Sequence, residues 1–121
     1  MKYRELIKTV QHYSGFSDSE SKDALDGTVA AIAVHLTDGE RQEFASQLPT
    51  ELQDLALAVY PTPENTSQDL FEQFTEMQEV DESRAKQQLL SAWQALKDIL
   101  SSREIDHLRM QLPSRAVMLL H

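Results

Sequence analysis

The sequence predicts an all-α protein: two pseudo-repeated four-helix halves packed as one compact helical domain over residues 1–121. Three observations predict it. Glycines and prolines number only three and four, whereas Leu, Ala, Gln and Glu, all good helix formers, are abundant. Apolar residues recur at helical spacing between capping and breaking residues. The tripeptide Gln-Leu-Pro occurs twice, at 47–49 and 111–113, each time with a helix-like stretch on either side.

The first half reads as four helices. Tyr3, Leu6, Ile7 and Val10 stand at i, i+3, i+4 and i+7, an apolar stripe on a short helix that Gly15 closes in a left-handed conformation. Ser17-Asp18-Ser19-Glu20 has the Ser-x-x-Glu form of a capping box and opens the longest helix, about 18–36, with Leu25, Val29, Ile32 and Leu36 on its main apolar face. A second box, Thr37-Asp38-Gly39-Glu40, starts a third helix ending near Gln47. Pro49 lacks an N–H and disfavours helical geometry in Leu48, so the third helix stops there. Thr50 is then expected to cap a fourth helix carrying Leu52, Leu55 and Ala56.

The second half repeats this syntax. Placing Gln47 on Gln111 fixes an offset of 64 residues, which carries Leu6 onto Leu70, Leu25 onto Leu89, Ala31 onto Ala95 and Glu40 onto Glu104 without a gap. Matches concentrate at apolar and helix-start positions, as in two copies of a fold unit. The copies span 3–57 and 67–121, and Pro61 and Pro63 make the linker, 58–66, extended. Leu70, Phe71, Phe74 and Met77 form the first stripe. Asp81 caps a long helix of about 82–100 bearing Leu89, Trp93, Leu96 and Leu100, and Ser101-Ser102-Arg103-Glu104 is another capping box. Leu48 and Leu112 are expected to plug the two corners that Pro49 and Pro113 create. Small residues, Ala24, Gly27, Thr28 and Ala31 against Ser91, Ala92 and Ala95, predict that the two long helices cross closely about a pseudo-twofold axis.

Charge narrows the function. A net charge of −9 and a pI near 4.8 repel phosphate backbones and anionic surfaces. No nucleic-acid or membrane role is therefore expected. The longest apolar run, residues 29–34, is far shorter than a bilayer span. The N-terminus lacks the apolar core of a secretory signal, and a cytoplasmic location is the default expectation. With no cysteine, thiol catalysis, Cys-based zinc sites and iron–sulfur clusters are excluded.

Chemical motifs are sparse. Glu104-Ile105-Asp106-His107 places a carboxylate and an imidazole one helical turn apart, as in di-iron carboxylate bundles. That chemistry needs a second such motif and further carboxylates. The repeat partner, Glu40-Arg41-Gln42-Glu43, has no histidine, and Glu40 and Glu104 already occupy the third positions of capping boxes. No metal site and no cofactor are expected on that count. His35 reads as a structural histidine of the long helix, with a proton-switch role as the sharper alternative. No nucleophile elbow or glycine-rich phosphate loop is present, so the protein is not expected to be an enzyme.

The opening Tyr-x-x-Leu helix "YRELI", the stretch "HLTDGERQEFASQLPTEL" and its echo "LRMQLPSRAVMLL" resemble the bacterial family called domain of unknown function 2267. The resemblance covers nearly the whole chain. It implies a compact all-α fold of two related halves and supplies no catalytic or binding residues. Glu79 stands where the offset from Gly15 would place a glycine. The functional expectation is a helical interaction or regulatory module, engaging another protein of basic character at a groove beside Leu48, Pro49, Leu112 and Pro113. The alternatives are a small-molecule or metal-binding helical protein, and a homodimer that buries the small-residue stripe.

Overall fold

A computed structural model of the chain describes residues 2–59, 61 and 70–112, and of Leu70, Phe71, Gln73 and Met77 the backbone alone. Seven helices and no strand occupy the described residues: α1 Tyr3–Ser14, α2 Asp18–Val34, α3 Asp38–Ser46, α4 Thr50–Ala58, α5 Leu70–Gln78, α6 Glu82–Lys97 and α7 Ser102–Gln111. The fold is all-α. Most of the linker, Pro113 and the helix expected after it lie outside the described residues.

Local chemistry sets the boundaries. Gly15 takes φ 76°, and its N–H donates to Gln11 O at 2.7 Å, ending α1. Thr37 and Glu40 form the full reciprocal capping box at α3: Glu40 N donates to Thr37 Oγ1 at 3.3 Å and Thr37 N to Glu40 Oε1 at 2.9 Å. Ser17 and Asp81 cap α2 and α6 by accepting the N–H groups of Glu20 and Arg84.

Four expectations need correction. First, α2 ends at Val34 instead of residue 36, because His35 and Leu36 bond back only three residues and Arg41 holds that turn. The buried guanidinium of Arg41 donates to Ala33 O at 3.1 Å, Leu36 O at 2.6 Å and Asp38 Oδ1 at 2.9 Å. It satisfies carbonyls that a helix end leaves open. Likewise α6 stops at Lys97, short of residue 100. Second, Thr50 is the first residue of α4 and not its cap; Pro49 holds that place with ψ 155° and no side-chain bond, its carbonyl accepting from Leu52 and Gln53.

Third, only half a capping box forms at Ser17 and at Ser101, because the carboxylates of Glu20 and Glu104 are turned elsewhere. Fourth, the helix that approaches Gly27 is α5 and not the other long helix. A Cβ added at Gly27 would stand 2.6 Å from Gln78 Nε2 and 3.1 Å from Phe74 Cε2. Ala24, Gly27, Thr28 and Ala31 are all buried within the chain, so this stripe offers a second copy no surface.

The long helices α2 and α6 nevertheless pack on each other, with α1 against both. α5 lies along α2 and α6, and α4 lies on α2 and α3. Trp93, Phe44, Phe74, Leu6 and Leu25 are fully buried in the resulting core; each such side chain contributes about 1.5–3 kcal/mol by leaving water. One polar tie joins the long helices. Arg84 makes a bidentate pair with Glu20 at 2.7 and 2.5 Å while lying 4.2 Å over the Phe16 ring, and Gln88 Nε2 donates to Glu20 Oε2 at 2.8 Å.

Candidate functional site

Two places matter: the Gln-Leu-Pro corners and the face where α3 meets α7. Leu48 and Leu112 are buried and belong to the apolar core. Leu48 fills the first corner from inside. Pro49 is half-buried between α3 and α4, and Pro113 lies outside the described residues. The third member of the first corner, Gln47, reaches across the molecule: its Oε1 accepts the Ser101 N–H at 2.8 Å.

That bond changes what Glu104 can do. In a full capping box the Glu104 carboxylate would take the Ser101 N–H; here Ser101 Oγ accepts from Glu104 N at 3.1 Å, but Gln47 supplies the return acceptor. The Glu104 side chain is released from the helix end and lies inside, 2% exposed. One turn along the same face, His107 Nδ1 stands 3.8 Å from Glu43 Oε1 of α3. Glu43, Glu104 and His107 each offer an atom within 4.8 Å of the others.

The electrostatics follow from this crowding. Burial raises the pKa of the Glu104 carboxyl above the usual carboxylate range, and the charges of Glu43 and Glu40 act in the same direction. His107 opposes them. Glu40 keeps its carboxylate on Thr37. Two acceptor-only carboxylates facing each other need a positive species between them, either a shared proton or a cation.

Sequence reasoning missed Glu43. The signal was present, because the same 64-residue offset relates Glu43 to His107 and Glu20 to Arg84, and both pairs meet in space. Among the described residues, the other histidines do not join the cluster. His35 is half-buried at the C-terminal end of α2, and His12 is exposed with its ring edge-on to Tyr13.

The fold and this site define a small all-α protein with two carboxylates and an imidazole gathered between its third and last described helices. No helix among the described residues is long and apolar enough to cross a membrane. The chain belongs to the family described as Uncharacterized conserved protein (DUF2267), which matches residues 3–119. No curated protein and no solved structure matches it.

Proposed function

We propose that the protein is a non-catalytic interaction or regulatory module that docks a basic partner protein beside its Gln-Leu-Pro corners. The observation carrying this reading is a pair of exposed apolar side chains on an acidic chain, one just before the second Gln-Leu-Pro and one at the far end of the helix that follows the first. Met110, two residues before Leu112, is 78% exposed, and Leu57, on the helix that follows Pro49, is 51% exposed. An exposed aspartate precedes each by one helical turn, Asp106 before Met110 and Asp54 before Leu57. An exposed apolar anchor with an aspartate one turn away suits a basic amphipathic segment, the charge steering its approach. Since Leu48 and Leu112 are buried, contact falls on their outward neighbours. A small-molecule or metal-binding role is the second reading, favoured by the Glu43–Glu104–His107 cluster.

The test uses the full chain as bait in native lysate, beside a charge-matched acidic helical protein. One partner captured in stoichiometric amount, weakened by salt and lost in Leu57→Lys/Met110→Lys, is the expected result. Capture that survives the double substitution, or no specific capture, contradicts the reading.

A further inference from the structure

We infer that Glu43, Glu104 and His107 form a binding site for one divalent transition-metal cation between α3 and α7. Glu104 carries the argument. Its Oε2 is buried and has no hydrogen-bond partner among the described residues. A carboxylate oxygen so placed is costly unless a positive group approaches it. The buried guanidinium on α3, Arg41, is committed to Ala33, Leu36 and Asp38. What does approach Glu104 is a second carboxylate and an imidazole, all three offering atoms within 4.8 Å of one another.

The geometry is close to ligation. Zinc–ligand bonds of about 2.0–2.2 Å at tetrahedral angles put neighbouring ligand atoms roughly 3.4 Å apart. Glu43 and His107, whose side chains are about half exposed, therefore draw inward by up to ~1.4 Å to close on the ion. Their exposure also leaves room for water to complete the coordination. Two carboxylate oxygens and one imidazole nitrogen suit Zn²⁺, Mn²⁺ or Fe²⁺, whereas Ca²⁺ and Mg²⁺ favour all-oxygen sites. Gln47 acts one step further out: by capping Ser101 it frees Glu104 for the ion. A bound ion ties α3 to α7 and adds to the Gln47–Ser101 bond already spanning the first corner and the start of α7.

The experiment is calorimetric titration of the chelator-treated full chain with ZnCl₂, and separately with MnCl₂ and CaCl₂, with thermal melts of each mixture. The expected result is one Zn²⁺ per chain, a raised Tm, and no comparable response to Ca²⁺. Glu104→Gln is nearly isosteric and removes a buried charge, so it should melt cooperatively while binding Zn²⁺ about 100-fold more weakly. His107→Gln should lose affinity to a similar degree, and His12→Gln should keep it. The proposal is overturned if neither Zn²⁺ nor Mn²⁺ binds the wild-type chain, which leaves a shared proton as the occupant. It is equally overturned if Glu104→Gln and His107→Gln bind Zn²⁺ undiminished, which places the ion elsewhere.

Discussion

At Glu79 the backbone takes φ 53°, the left-handed conformation that Gly15 adopts at the end of α1. Its N–H donates to Thr75 O at 3.1 Å, so α5 ends as α1 does but with a side chain in a region that costs about 1–2 kcal/mol without glycine. Glu79→Gly should relieve that strain and, after the added freedom of the unfolded chain, stabilise the fold by about 0.5–1 kcal/mol in urea denaturation. An unchanged or lower midpoint would count against the strain. Glu20 makes a second single-residue prediction. The bond from Arg84 holds its carboxyl below the usual range, helped by Gln88 and opposed by burial. A lowered carboxylate stabilises the fold fully above its ordinary unfolded value, and the contribution disappears as pH falls through the lowered one. Glu20→Gln should therefore cost about 1 kcal/mol near neutral pH and flatten the acid side of the stability profile. Parallel profiles for both proteins would refute the coupling.

At the scale of elements, Gly27 shows what the close approach of α5 requires. A methyl group there meets the fully buried Phe74 ring at 3.1 Å, and Gln78 Nε2, itself bonded to Asp23 O, at 2.6 Å. Overpacking of this kind costs about 1–3 kcal/mol, against a helix-propensity gain of ~1 kcal/mol for alanine. Gly27→Ala should lower stability by about 1 kcal/mol, and Phe74→Leu added to it should recover part of the loss. A stabilised Gly27→Ala protein would show that α5 does not press on α2. The small-residue stripe was legible in the sequence; the helix it admits was not, because several helices can fill a groove of one shape. The same limit explains the other differences. Gly15, Pro49, Asp81 and the apolar faces act through backbone geometry and helical period, which a sequence displays directly. The fate of the Glu104 carboxylate depends on Gln47, an acceptor brought to Ser101 by the tertiary fold. The stop of α2 at Val34 depends likewise on where the Arg41 guanidinium ends up.

Across the whole molecule, Glu20 meets Arg84 on the long helices and Glu43 meets His107 on α3 and α7, each pair one 64-residue offset apart. Residues related by a two-fold rotation meet one another only close to its axis, so such an axis between two copies would bring both pairs together. The two pairs do not use the meeting alike: one closes as a bidentate ion pair, and the other joins the buried Glu104 in a cluster of two carboxylates and an imidazole. An acidic chain with a net charge of −9 can draw a cation towards that cluster as well as a basic partner to its surface. The most direct measurement is a crystal structure of the full chain grown with zinc, with anomalous data collected on both sides of the zinc absorption edge. The account predicts one anomalous peak between α3 and α7, bonded by Glu43, Glu104 and His107, with Gln47 still capping Ser101. A map without that peak, in which Glu104 instead closes the capping box on the Ser101 N–H, would contradict it.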